Sequence, residues 1–304
     1  MNETPVLEPL NIKGDCRIAD LSEADRNRLT SVGGYLNAHG TADLTLPALK
    51  SVGGSLFAEN TTDLTLPALE SCRDLYASKS TGLTIPLLTS CGDLRAFNST
   101  SLTLSALEKC GELYARYTTD LTLPALKSVG SNIEAFRSTN LTLPALESVG
   151  GYIDAVNSTG LSLPSLTSVD GNLDASDTTD LTLPALEKCG NLSAANSTDL
   201  TLPALEKCGS LDARESTALT LPSLARVEGD LNARESTGLT LPALESVEGK
   251  LSARYSTGLS IPDAIARKHR IHARYLAAVP EQSHAEKAIA ELQNNNESLN
   301  QGIK

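Results

Sequence analysis

Residues 141–160 read "LTLPALESVGGYIDAVNSTG", and near copies of this phrase run along most of the chain. Counted from the first Leu, copies begin at Leu44, Leu64, Leu83, Leu102, Leu121, Leu141, Leu161, Leu181, Leu200, Leu219, Leu239 and Leu259, at spacings of 19 or 20 residues. A fixed period in that range marks a solenoid, in which each copy is one turn of a coil and none can bury its apolar face alone. Within the copy, "LTL" and "YIDAV" alternate apolar and polar residues, the pattern of a strand with one buried face. Pro144 fixes φ and removes a donor after the first of these, so "PALES" is expected to turn a corner as one helical turn. The other corner is "NSTG". Position 160 and its equivalents Asp63, Gly82, Asp120, Asn140, Asp180 and Gly238 are residue types that tolerate a left-handed backbone. Leu141, Leu143, Leu146, Val149, Ile153 and Ala155 should then face inward. Two Thr columns, represented by Thr62 and Thr65, lie three residues apart, so strand alternation places them on opposite faces.

The fold expected is all-β for the most part: a single right-handed parallel β-solenoid of about 12 turns with two short strands in each and a short helical cap at either end. Residues 1–28 form the N-terminal cap, where Ser22 and Asp25 in "LSEADRNRL" make a capping pattern. Residues 29–278 form the array, and 279–304 a C-terminal helical cap and polar tail. Ser283 and Glu286 there make a capping box for Ala285, Ala288, Ile289 and Leu292. Aligned without a gap on 239–255, residues 259–275 offer Ile271 and Ala273 as one further inward pair.

Aromatic residues make up 3% of the chain and Trp is absent, so the core has to be built from Leu, Val, Ala and Cys. Five cysteines (Cys72, Cys91, Cys110, Cys189, Cys208) take the place of Val149, and each falls in a 19-residue copy, whereas copies with Val have 20. The shorter loop brings the backbone closer, and the slimmer thiol fits where Val did. Stacked equivalents ~4.8 Å apart are near enough for disulfides, but a cytoplasmic location argues against them. No Cys-x2-Cys spacing or converging His supports zinc, and neither metal nor cofactor is expected.

A net charge of -12 argues against direct nucleic-acid binding, which needs a basic footprint. It fits a chain that repels nucleic acid or imitates it. The N-terminus shows no basic segment followed by an apolar one, and no stretch approaches the ~18 apolar residues of a membrane span. A soluble, cytoplasmic protein with no membrane partner is expected.

Positions that repeat hold the coil together, so function belongs to those that vary, chiefly the outward positions of the second strand. Two groups emerge there. Phe57, Tyr76, Arg95, Phe97, Tyr114, Arg116, Tyr117, Phe136 and Arg137 gather on one face over five successive turns and include every Phe in the chain. Exposed aromatics beside Arg compose a protein-binding hot spot, although aromatic cross-strand pairs also stabilise a sheet. Arg214, Arg234, Arg254 and Arg274 form one column in four successive turns. It is a candidate anion-binding column unless Asp212, Glu215 and Glu235 beside it neutralise the charge. Catalysis finds no unique constellation: the four His (His39, His269, His272, His284) lie at the extremities, and the Ser residues are mostly repeated turn residues.

The phrase "LTLPALxSVGGxLxA" resembles the short leucine-rich repeats of bacterial and phage-encoded proteins and, more loosely, the right-handed solenoid of receptor L-domains. The resemblance covers roughly residues 29–275. It departs from ordinary leucine-rich repeats in lacking "LxxLxLxxN" with its buried Asn, which favours a straighter solenoid over a wide horseshoe. Partner binding is what the resemblance implies. The function expected is a non-enzymatic scaffold that binds a protein through the aromatic and Arg face. The alternatives are an acidic nucleic-acid mimic that inhibits a DNA-handling or defence enzyme in phage and host conflict, and a structural rod that self-associates through its end caps.

Overall fold

The computed structural model describes residues 8–276. Its dominant feature is a 13-stranded parallel sheet whose strands follow in chain order from Cys16–Arg17 to Leu251–Ser252. Each strand is two residues long, and neighbours pair in strict register: Leu113 with Ile133, Ile133 with Ile153, Ile153 with Leu173. The parallel β-solenoid expected from the repeat is therefore present. The sheet reaches into the N-terminal segment through the pairing of Cys16–Arg17 with Leu36–Asn37, and Leu10–Ile12 pairs there with Leu29–Val32 in a separate 3-stranded sheet.

Two strands recur in most turns, but only one sits where alternation placed it. "YIDAV" contributes Ile153–Asp154 to the long sheet, whereas "LTL" forms single-residue bridges such as Thr122 with Thr142. The second strand is Ser148–Val149, in a 4-stranded sheet, and its strand equivalents in other turns lie in the same sheet or in two 3-stranded sheets. Pro144 is the reason. It sits inside a β-turn closed by the Leu146 amide on the Leu143 carbonyl at 3.2 Å, which ends the first strand after one pairing. The expected helical turn is thus a β-turn, and the chain straightens only from Ser148. In the last turn the same phrase does make a helix, Asp263–Lys268 after Pro262, with Ile265 and Ala266 buried.

Leu141, Leu143, Leu146, Val149, Ile153 and Ala155 are all buried to within 1%. One further inward column belongs to the turn residues. The hydroxyls of Thr61, Ser80, Ser158, Ser216 and their equivalents are buried, and each except that of Ser138 donates to the Ala carbonyl three residues back, as Ser158 does to Ala155 at 2.6 Å. A small hydroxyl satisfied within its own turn can line a core without an unmet donor. In many turns the residue before the inward Leu or Ile adds a second polar ladder. Asn132 Oδ1 accepts from the Tyr152 amide at 3.0 Å, Asn172 Oδ1 from Asn191 at 3.0 Å and Asp230 Oδ1 from Lys250 at 2.7 Å. The buried Asn of ordinary leucine-rich repeats is absent, yet an outward Asn or Asp column clips one turn to the next.

The "NSTG" corner carries two left-handed residues in each turn, Asn157 at φ 57° and Gly160 at φ 67°. The second changes the phase of the alternation. Thr62 and Thr65 consequently both face outward, Thr62 exposed and Thr65 half-buried around inward Leu64, which corrects the opposite-face expectation.

At the N-terminal end, Ser22 caps the helix Glu23–Arg28, its Oγ accepting from the Asp25 amide at 3.2 Å. At the other end Ile271 packs against the core, but Ala273–Tyr275 form a 3-10 turn instead of a strand, and Leu276 pairs with Leu259. The helical cap expected over 279–304, with Ser283, Ala285, Glu286, Ala288, Ile289 and Leu292, lies outside the described residues. No helix among the described residues is long and apolar enough to cross a membrane.

All six cysteines are free thiols, and Cys72, Cys110, Cys189 and Cys208 are buried. The loop that follows explains the exchange with Val. Three residues separate Val149 from Ile153, but only two separate Cys72 from Leu75, so the 19-residue turns drop one residue of the Gly-Gly loop. Burial pushes the thiols of Cys72, Cys110 and Cys189 up from 9.0 to about 12 and raises those of Cys91 and Cys208 further. A folded pKa above the unfolded one contributes stability that is complete below about pH 9 and lost as pH rises towards 12. These five thiols are expected to resist a thiol reagent at pH 8 and to react together once the chain unfolds in denaturant. Rapid labelling of Cys110 in the folded protein would contradict their place in the core.

Candidate functional site

The long sheet presents the aromatic residues. Alternation about inward Leu56, Leu75, Leu113 and Ile133 turns Phe57, Tyr76, Tyr114 and Glu134 outward at ladder spacing, and the next outward position supplies Phe97, Arg116 and Phe136. Phe57 and Tyr76 stack at 4.9 Å between ring centroids. The Arg95 guanidinium lies between the Tyr76 and Tyr114 rings at 5.2 and 4.8 Å, and Phe97 leans on Tyr114 at 5.6 Å. Tyr117 meets Phe136 edge-on at 5.6 Å, with the Arg137 guanidinium 5.1 Å from the same ring. Eight of the nine residues therefore fall into two contact groups along the long sheet, Phe57, Tyr76, Arg95, Tyr114 and Phe97 in one and Tyr117, Phe136 and Arg137 in the other, while Arg116 pairs with Glu134.

Two members escaped the sequence reading. Tyr35 packs edge-on against Phe57 at 5.7 Å, and Tyr152 donates to Glu134 Oε1 at 3.0 Å. Both precede an inward residue, Leu36 and Ile153, and the same alternation that exposes the residue after it exposes the residue before it. With them the face extends from the turn of Tyr35 to that of Tyr152, six ladder steps or about 29 Å.

The charges on this face are mostly neutralised. Arg95 Nη2 is 3.4 Å from Asp93 and Arg116 Nε 2.9 Å from Glu134. Glu112 accepts from the Tyr114 hydroxyl, from Ser131 Oγ at 3.0 Å and from Asn132 Nδ2 at 2.9 Å. The hydrogen bond from Tyr114 chiefly holds the Glu112 carboxyl below its usual range, and pushes the Tyr114 phenol up to about 12. What remains outward is aromatic edge, Tyr117 and Arg137. Tyr117 is 45% exposed, and both adopt left-handed backbone, at φ 57° and 52°. The same position holds Asn60, Asn98, Asn157, Asp177 and Asn196 in other turns, residues that accept this conformation at little cost, and Lys79, Glu215, Glu235 and Tyr255 in four more. Tyr117→Asn is accordingly expected to raise stability by about 0.5 to 1 kcal/mol in a urea titration while weakening partner binding. A stability loss would mean that the Tyr117 contact with Phe136 outweighs the backbone strain.

The arginine column behaves differently. Arg214 Nη2 folds onto Asp212 at 2.8 Å. Arg254 and Arg274 each lie 4.7 Å over the ring of the following Tyr and donate to its hydroxyl at 2.7 and 2.5 Å. Of the three acids expected to neutralise the column, Asp212 does so, while Glu215 and Glu235 form no ion pair among the described residues. Three of the four guanidiniums are thus engaged beside their own backbone, and only Arg234 is without a side-chain partner among the described residues.

No family model, curated protein or solved structure matches this chain. Among the described residues, no three His, Cys, Asp or Glu side chains converge as metal ligands. His39 and His269 lie far apart in the array, and His284 falls outside the described residues.

Proposed function

We propose that this chain is a binding scaffold that grips a protein partner through the face running from Tyr35 to Tyr152. The observation that carries the reading is the placement of Tyr117 and Arg137: exposed, beside the half-buried Phe136, and held in a backbone conformation that costs stability. Cross-strand packing explains why Phe57 stacks on Tyr76. The left-handed corner is not particular to this face, since Lys79, Glu215, Glu235 and Tyr255 also occupy it; what is particular is that an exposed Tyr, Arg137 and Phe136 adjoin there in a chain with 3% aromatics. Neutralised arginines and aromatic edges favour a protein surface over a polyanion, because Arg and Tyr dominate such hot spots while phosphate contacts need unpaired cations.

The test is affinity capture with wild type and with Phe97→Ala, Tyr114→Ala, Phe136→Ala combined. A partner retained by wild type and lost by the variant supports the face. A partner held equally by both assigns the aromatics to sheet packing. Displacement of that partner by DNA would point to the nucleic-acid mimic, and recovery of this chain alone to a self-associating rod.

A further inference from the structure

Where the aromatic face ends, the long sheet has an open depression of about 440 Å3 lined by Phe136, Tyr152, Asp154, Val156, Asn172 and Asp174. Its two carboxylates come from paired neighbours in the ladder, Asp154 beside Asp174. Like charges in adjacent strands are destabilising unless a cation lies between them, and no cation forms an ion pair with either among the described residues.

The repeat itself shows what such an acid takes. Asp212 occupies the same column as Asp154 and Asp174, and in all three Oδ1 accepts the amide two residues on, from Arg214 at 3.2 Å, Val156 at 3.2 Å and Ser176 at 3.0 Å. In the turn of Asp212 that residue is an arginine, and its Nε lies 2.9 Å from each carboxylate oxygen. On the other side of the depression, Glu134 is occupied by Arg116 of the preceding turn. At Asp154 and Asp174 neither position is basic: two residues on stand Val156 and Ser176, and in the preceding turn Phe136 and Val156. The acid is repeated, its arginine is not, and the space beside it is open.

We infer that this depression receives an arginine side chain of the protein partner, the guanidinium on Asp154 and Asp174 and the stem against Tyr152, Val156 and Phe136. The inference rests on the binding face proposed above and names the chemistry of its partner: a basic segment lying along the sheet, with its aliphatic contacts toward Tyr114 and an arginine toward Asp174. A planar guanidinium can bridge two carboxylates one ladder step apart with separate donors.

The first measurement is an amide-resolved NMR titration of the full chain with N-acetyl-arginine N-methylamide, alongside the norleucine analogue as an uncharged probe of similar length. Shifts centred on Val156 and Ser176, absent with norleucine and absent in Asp154→Asn, Asp174→Asn, are expected. Asparagine keeps the carbonyl that accepts the two amides, so the variant leaves the ladder intact. Shifts spread over all acidic turns, or equal with norleucine, overturn the subsite. Once a partner is in hand, the double Asn variant should bind it about five- to tenfold more weakly. Unchanged affinity in that variant, with binding still lost in the triple aromatic variant, refutes the subsite and leaves the face standing. Binding lost in the double Asn variant but unchanged by Phe57→Ala, Tyr114→Ala, which leave the lining of the depression intact, would confine the contact to the subsite and refute the wider face.

Discussion

Leu143→Ala is expected to destabilise the middle of the array by about 2 to 5 kcal/mol and to break one cooperative unfolding transition into two. Leu143 is fully buried, and its backbone is pinned on both sides of the vacated space. Its amide donates to the Ser162 carbonyl at 3.0 Å, and its carbonyl accepts from Leu146 at 3.2 Å. A pinned site cannot collapse around the missing methyl groups, so the loss should fall in the upper half of that range. Because each turn contacts only its neighbours, coupling between the two halves passes through this turn and has no other route. Urea unfolding followed by hydrogen exchange would show it: amides from Leu121 to Leu183 lose protection first, while Leu56 and Leu75 keep theirs. A single transition shifted by less than about 1 kcal/mol would mean that the core relaxes more than the ladder geometry permits.

The same locality explains which features the sequence revealed. Inward columns such as Leu141, Leu143 and Ile153 recur at every turn, so repetition reports them many times over and their burial follows from alternation alone. The left-handed residue at Gly160 does not repeat in type, being Asp63, Asn140 or Ala218 elsewhere. Most of these types announce a left-handed corner, but strand alternation counted through the corner takes no account of the change of phase it makes, and that hid the outward direction of both Thr columns. Ser158 and its equivalents looked like exposed turn residues because serine is polar. Only the geometry that aims Oγ at the Ala155 carbonyl makes it a core residue. The aromatic face was visible as departures from the repeat after each inward Leu. Tyr35 and Tyr152 went unseen because they depart from it one position earlier. Asp154 and Asp174 show a harder limit: each looks like any other acid of an acidic chain until Arg214 on Asp212 reveals what their turns lack.

The combined variant Phe97→Ala, Tyr114→Ala, Phe136→Ala should reduce partner affinity by about 100-fold or more, and that loss has to be separated from a loss of fold. Removing the three rings also deletes the Arg95 contact with Tyr114, the Tyr117 contact with Phe136 and the Phe97 contact with Tyr114. Two aromatic pairs at about 0.5 to 1.5 kcal/mol each and the guanidinium contacts of Arg95 with Tyr114 and Arg137 with Phe136 at about 0.5 to 1 kcal/mol each give a loss of roughly 2 to 5 kcal/mol, a range that includes that of Leu143→Ala. The two variants therefore form a matched pair. Leu143 lies inside the coil and touches no partner, whereas the three aromatic residues are half-buried and outward. If the face is a binding site, Leu143→Ala keeps the partner at a temperature where both proteins are folded, and the aromatic variant does not. Equal weakening in both would show that partner binding reports only on the integrity of the solenoid, and the rings of Phe97, Tyr114 and Phe136 would then be cross-strand packing that happens to face water.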